Sequence, residues 1–202
     1  MREVTVTNTY KVYTFDELSE EAKEKFIEAE RDSEMESIAD EFFECMKEAM
    51  YRLNIDIDDY QLDYTVSGYI NLHVDDDAEE LEGVRAYTWI VNNLFANVRK
   101  NKLYWIESNF DKQRYSNIES KDWMENCPFS GVCYDYTVKF AWDYWCAELK
   151  SGLEPSVRDF LDELETQYLK ELSDEYYGFG EDEARDIVEA NNYEFLEDGT
   201  IF

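Results

Sequence analysis

The chain has 202 residues, of which 49 are Asp or Glu and 19 are Lys or Arg, so its formal charge is −30. A charge of this size makes long-range interactions with DNA, RNA and anionic membranes repulsive, and it favours a basic protein partner. Aromatic residues make up 16% of the chain and argue against an unfolded protein, because they supply apolar surface for a core. From its length we expect residues 1–202 to form a single acidic domain.

The first residues predict no export signal and no membrane anchor. Met1, Arg2 and Glu3 lead directly into alternating apolar residues and lack the apolar core of a signal peptide. No run of about 18 apolar residues predicts a membrane span. The four cysteines are therefore expected to be reduced thiols, as is usual for proteins that are not secreted; they are Cys45, Cys127, Cys133 and Cys146.

The first third of the chain predicts a strand followed by helix. Residues 3–14 alternate as in a hairpin or a kinked strand. Thr14 and Glu17 have the spacing of a capping box, and Ser19 is placed to cap a helix whose first turn is Glu20-Glu21. Apolar residues then recur at helical spacing from Met35 to Leu53.

The remainder of the chain predicts more helices and short strands. Apolar residues occupy even positions over 60–74, which predicts two strands joined near Ser67-Gly68. The later elements are a helix over 84–98, a strand at 103–106, an irregular stretch at 108–133, helices at 138–149 (capped by Asp135), from Pro155 to 172 and at 181–191, and a terminal hairpin over 193–202. Together they predict an α+β fold with several amphipathic helices packed on a small antiparallel sheet.

The acidic residues are concentrated in three segments. Residues 16–44 and residues 54–83 each carry a net charge of −10, and residues 154–189 hold 13 acidic and three basic side chains. Residues 84–150 are close to neutral. The negative charge is therefore segmented along the chain.

Two of these segments contain rows of carboxylates that we take as candidate partner-binding residues. Like charges at i, i+3 and i+4 destabilise a helix by a few tenths of a kcal/mol each, so stability alone does not explain them. Rows of carboxylates can take the place of phosphates in a groove lined with Lys and Arg. The alternative is that they are solvated faces that provide only solubility. The candidates are Glu17, Glu20, Glu21, Glu24, Glu28, Asp32, Asp75, Asp76, Asp77, Glu79 and Glu80.

No pattern in the sequence predicts catalysis, a metal or a cofactor. A calcium loop that would begin at Asp56 lacks the required Gly and Glu at its sixth and twelfth positions. Cys127 and Cys133 lack the CxxC spacing of a zinc site. His73 is the single histidine, and together with the aspartates at 75–77 it could form a site for a hard cation. The enzyme hypothesis that remains is catalysis through His73 or through a metal bound by carboxylates.

A group of aromatic residues near position 140 has helical spacing, which favours a place in the core. Aromatic residues at the edge of such a group can instead anchor a protein interface. The group consists of Tyr134, Tyr136, Phe140, Trp142, Tyr144 and Trp145.

Three parts of the chain carry a resemblance. Residues 13–25 (YTFDELSEEAKEK), residues 127–133 (CPFSGVC) and the ending at 172–175 and 189–199 (LSDE and EANNYEFLEDG) resemble a group of small acidic bacteriophage-encoded proteins, most of them uncharacterised. The resemblance implies a phage origin and a place in the host bacterial cytoplasm, and it supplies no catalytic residues.

Small acidic phage proteins in turn resemble DNA mimics, including anti-CRISPR and antirestriction proteins. The expected function is therefore a non-enzymatic inhibitor whose acidic faces occupy the nucleic-acid-binding surface of a host nuclease, such as a Cas effector or a restriction nuclease. The alternative is a phage host-takeover or housekeeping module that binds proteins and whose acidity serves only solubility.

Overall fold

The computed structural model describes residues 9–63, 68–96, 105–108, 116–119 and 135–202. These residues form helices and two antiparallel pairs of strands, which confirms the predicted α+β class. The helices are α1 (Glu20–Leu53), α2 (Asp76–Glu79), α3 (Gly83–Asn93), α4 (Asp135–Ser151), α5 (Val157–Gly178) and α6 (Glu181–Asn191). The strands are β1 (Asp56–Gln61) with β2 (Tyr69–His73), and β3 (Trp105–Ser108) with β4 (Ser116–Glu119).

The chain divides into two compact units. Unit 1 comprises Met1–Ser37 and Glu175–Phe202, and unit 2 comprises Ile38–Asp174. Helices α1 and α5 contribute residues to both units. The single-domain prediction for residues 1–202 stays a prediction.

Unit 1 is built around a small aromatic core. The rings of Phe26 and Phe195 meet edge to face, with centroids 4.9 Å apart, a favourable geometry for aromatic pairs. Tyr13 and Phe195 exchange two backbone hydrogen bonds of 2.9 Å. Residues 3–14 are predicted to form a hairpin or a kinked strand, and this bridge is the pairing that the described part of that segment makes. Residues 1–8 lie outside the described residues. The core residues are Phe15, Leu18, Ala22, Phe26, Ile27, Ala184, Val188 and Phe195.

The start of α1 follows the capping signals in the sequence. Glu17 accepts hydrogen bonds from the backbone N–H of Thr14 at 2.9 Å and from the Thr14 hydroxyl at 3.1 Å. Ser19 then accepts from the backbone N–H of Ala22 at 3.2 Å, which confirms it as the cap. Helix α1 continues without a break to Leu53, so the two helical patterns in the sequence belong to one helix.

Unit 2 contains the hairpin β1–β2, whose first strand begins at Asp56 rather than near Tyr60 and contains a β-bulge that the sequence did not predict. Ile70, Leu72 and Val74 are buried, as their even positions predict. In β1, however, the register shifts between Ile57 and Asp59. Because directly opposed residues share a face, Ile57 opposite Leu72 and Tyr60 opposite Ile70 lie on the same side of the hairpin.

Helices α4 and α5 supply much of the core of unit 2. Trp142 and Trp145 are fully buried, which confirms their predicted core position, whereas Phe140 and Tyr144 are exposed. The indole N–H of Trp145 donates to the backbone oxygen of Ser156 at 2.7 Å. The predicted buried face of α5 is confirmed at Val157, Phe160, Leu161, Leu164, Tyr168 and Leu172. Tyr134, a member of the predicted aromatic group near position 140, lies outside the described residues.

The predicted start of α5 at Pro155 is wrong by two residues. Ser156 is the cap: its hydroxyl accepts from the Asp159 N–H at 3.0 Å, and the Asp159 carboxylate accepts from the Ser156 N–H at 2.7 Å. This reciprocal pair satisfies amides that the helix leaves free, so the helix begins at Val157.

Four other predicted boundaries are corrected. Helix α3 ends at Asn93, and Asp135 is the first residue of α4. The strand predicted at 103–106 is found at Trp105–Ser108, and the stretch predicted to be irregular contains its partner Ser116–Glu119.

The predicted terminal hairpin is confirmed by the hydrogen bonds from Leu196 N–H to the backbone oxygen of Thr200 and from Phe202 N–H to the backbone oxygen of Glu194, both 2.8 Å.

Candidate functional site

The N-terminal part of α1 presents carboxylates on the surface of unit 1. Glu20, Glu21, Glu24, Glu28 and Asp32 are all exposed. Their spacing of three and four residues places them along one side of the helix. The described residues of unit 1 hold 19 acidic and five basic side chains, a net charge of −14. The row of acidic residues predicted from the sequence is therefore a surface feature of a strongly negative unit.

A second segment of unit 1 brings two more carboxylates to this helix. Gly199 has a φ of +82°, and a Cβ at this position would lie 2.3 Å from the carbonyl oxygen of Ala22. Only glycine allows the terminal turn to approach α1 this closely. Lys25 Nζ donates to the backbone oxygen of Asp198 at 3.1 Å and contacts its carboxylate at 3.3 Å. The turn thereby holds Glu197 and Asp198 beside α1.

These residues line a cleft of about 710 Å³, which we call the acidic cleft. It is defined by Glu21, Glu24, Lys25, Glu28, Glu197 and Asp198. Sequence reasoning missed Glu197 and Asp198, because no local pattern links them to a helix 173 residues earlier.

The carboxylates of the acidic cleft are poorly neutralised. Among the described residues, Lys25 pairs with Asp198, and no ion pair is formed by Glu21, Glu24 or Glu28. The pKa of Asp198 is lowered, first by hydrogen bonds from Thr200 and then by Lys25. The Asp198 carboxylate is therefore ionised at neutral pH.

The other candidates of unit 1 have partners of their own. Glu20 pairs with Lys23 at 3.2 Å while its side chain stays 90% exposed, a geometry that contributes little to stability. The hydrogen bonds from the Thr14 backbone and hydroxyl lower the pKa of Glu17. Asp32 accepts from the Tyr176 hydroxyl at 3.3 Å.

The acidic residues at 75–80 belong to unit 2, and two of them, Asp75 and Glu79, accept hydrogen bonds from backbone N–H groups. Asp75 caps the short helix α2 by accepting from the Asp77 N–H at 3.0 Å, and Asp76, Asp77 and Glu80 are exposed. Glu79 is only 17% exposed. It accepts from the Val74 N–H at 3.0 Å, so its carboxylate also serves the fold.

His73 lies beside this run and contacts two of its carboxylates. Its Nδ1 atom is 2.9 Å from Glu79 Oε1, and its Nε2 atom is 3.7 Å from Asp76 Oδ1. Among the residues that the structure describes, no group of three His, Cys, Asp or Glu side chains is arranged to hold a metal ion. Cys127 and Cys133 lie outside those residues, and burial raises the pKa of the Cys146 thiol to about 12.

Sequence reasoning also missed a half-buried ion network on α5. Arg158 donates to Glu165 at 2.5 Å and to the backbone oxygen of Leu72 at 2.6 Å. Glu165 accepts from the Leu72 N–H at 2.8 Å, and burial raises the pKa of Glu165 despite this bond and the contact with Arg158. The two side chains thus bind both backbone groups of a residue in β2.

No helix within the described ranges has a stretch apolar enough and long enough to cross a bilayer. Comparisons with models of protein families, with curated proteins and with solved structures found no match to this chain.

Proposed function

We propose that this protein is a phage-encoded, non-enzymatic inhibitor of a host nuclease, and that it acts in the host cytoplasm by covering the basic surface that holds the nuclease's nucleic acid. The observation that supports this proposal most directly is the acidic cleft. Two segments far apart in sequence bring exposed carboxylates together there, on a unit of net charge −14. Solubility alone does not require this convergence.

The spacing of charge along α1 supports the same conclusion. Five exposed carboxylates lie from Glu20 to Asp32, and twelve residue steps of about 1.5 Å place them along roughly 18 Å of helix. The mean interval between neighbouring charges is then about 4.5 Å, comparable with about 3.4 Å per phosphate along one DNA strand. A surface of Lys and Arg that binds a phosphate row can pair with such a helix.

The physical consequences of this binding mode are specific. Attraction between the acidic unit and a basic cleft accelerates association and weakens steeply with ionic strength. The bound protein and the nucleic acid compete for the same basic side chains, so the two exclude each other. Inhibition needs no bond to be made or broken.

The test is capture of a partner from host lysate by three immobilised proteins. The first is the wild type, and the second carries Glu21→Gln, Glu24→Gln and Glu28→Gln. A control carries three matched neutralisations elsewhere in unit 1, at Asp186, Glu189 and Glu194, which are also exposed. Both variants have the same net charge, so a difference in binding between them shows that the position of the neutralised carboxylates matters.

We expect the wild type and the control to capture a nucleic-acid-binding protein at about 50 mM salt, with strong loss at about 500 mM. Competing duplex DNA should release it, and the cleft variant should bind at least about tenfold more weakly, or 1.4 kcal/mol. Capture that is independent of salt, DNA and the three substitutions would instead support the host-takeover or housekeeping module.

A further inference from the structure

Unit 2 has a second cleft, whose lining differs in character from that of the acidic cleft. Its volume is about 700 Å³, within the range of clefts that bind ligands. We call it the aromatic cleft; its lining includes Phe43, Met50, Tyr51, Ile55, Asp56 and Tyr60. Tyr51 is 79% exposed and Tyr60 is 43% exposed. Large aromatic side chains exposed around a cleft are typical of binding surfaces.

The aromatic side chains are held in place by the fold. Phe43 on α1 and Tyr60 on β1 are stacked, with ring centroids 4.0 Å apart and planes 29° apart. The β-bulge after Ile57 turns both Ile57 and Tyr60 to one face of the hairpin, and both line the cleft. Bulges commonly redirect a side chain in this way. The Tyr60 ring is therefore preorganised.

The surroundings of the aromatic cleft are acidic. Asp56 lines it. The two cations nearby on α1 each have a carboxylate partner: Lys47 lies 2.6 Å from Glu44, and Arg52 lies 2.7 Å from Glu48. Asp56 therefore leaves the cleft with a net negative charge, which complements a cation.

One contact inside the protein shows that this aromatic wall accepts a cation. Lys47 Nζ lies 5.1 Å from the centroid of the Phe43 ring, within the range of a cation–π interaction. Lys47 itself lines the cleft, and Glu44 offsets its charge. A second cation can therefore approach Tyr51, Tyr60 and Asp56.

We infer that the aromatic cleft binds an arginine side chain from a basic segment of a partner protein. The guanidinium stacks on Tyr51, the more exposed of the two tyrosine rings, and pairs with Asp56. Arginine fits better than lysine because its planar group stacks on aromatic rings and is more weakly hydrated. The inference concerns unit 2 and does not rest on the acidic cleft.

The experiment separates this recognition from general attraction between opposite charges. Two peptides of equal length and charge, one with arginines and one with lysines between glycine and serine, are titrated into the whole protein by calorimetry. The wild type should bind the arginine peptide about 2- to 5-fold more tightly, the range expected for one exposed cation–π contact. Chemical-shift changes should include Tyr51 and Tyr60.

Three variants locate the preference. Tyr51→Ala should abolish the arginine preference, with a smaller loss of affinity for the lysine peptide, because the variant keeps every charge of the cleft. Tyr51→Phe should retain the preference. Tyr144→Ala, which removes an exposed tyrosine of the same unit outside the cleft, should also retain it. The 79% exposure of Tyr51 means that its removal leaves the core intact.

Three results would overturn the inference. The first is equal affinity of the wild type for both peptides. The second is an arginine preference that survives Tyr51→Ala or is lost equally in Tyr144→Ala. The third is binding of a short single-stranded oligothymidine with chemical-shift changes at Tyr51 and Tyr60, which would show that the aromatic rings stack on nucleic-acid bases instead.

Discussion

Replacing Gly199 by alanine tests how the terminal turn reaches α1. The new Cβ would lie 2.3 Å from the Ala22 carbonyl oxygen, and φ at this position is +82°. The unfavourable φ alone costs about 1–2 kcal/mol. The clash adds a steric cost of about 1–3 kcal/mol, because the turn must move away from α1 and lose the bonds from Lys25 to Asp198. We expect a total of about 3 kcal/mol.

Gly152→Ala is the matched control. Its φ of +96° is also unfavourable for alanine, but no atom lies within 4 Å of the added Cβ, so only about 1–2 kcal/mol is expected. Urea denaturation followed by circular dichroism measures both losses. Hydrogen exchange at the Phe195 amide, which donates to Tyr13 at 2.9 Å, reports unit 1 directly. A loss for Gly199→Ala no larger than that for Gly152→Ala would refute the proposed clash.

Three further predictions concern the core and two titrating groups. Phe195→Ala should lower the free energy of unfolding by about 3–5 kcal/mol, because it empties a buried site packed on Phe15 and Phe26; urea denaturation measures it. The lowered pKa of Glu17 means that its stabilisation is present above the unfolded-state pKa and is lost as pH falls through the folded-state pKa, so Glu17→Gln should reduce stability at pH 7 and hardly at all near pH 2. Burial and a pKa of about 12 should protect Cys146 from iodoacetamide in the folded protein and not in urea, as mass spectrometry of its peptide would show.

The parts of the fold that were predicted correctly depend on neighbours within one or two helical turns. The Ser19 cap and the buried face of α5 are examples, since each follows from residues three or four positions apart. The start of α5 shows two local signals in competition. Pro155 suits a first helical position, but the reciprocal bonds of Ser156 and Asp159 satisfy more backbone groups and set the boundary.

The parts that were missed depend on contacts between distant residues. The sequence shows Asp198 only as a turn residue, and its place beside Lys25 follows from the fold. The even-position alternation correctly placed Tyr60 on the face of Ile70, but it did not reveal the bulge after Ile57, which adds Ile57 to that face. The candidate row at 20–32 was found because a helix displays its own period, whereas the aromatic cleft joins a helix to a hairpin and has no such signature.

The side chains that bind β2 have a consequence for association between molecules. Leu72 gives its N–H to Glu165 and its carbonyl to Arg158, and Val74 gives its N–H to Glu79. An open strand edge offers such groups to the strands of other chains and is a common starting point for aggregation. Here three side chains already occupy these groups, so this part of the edge is closed to a strand from a second copy.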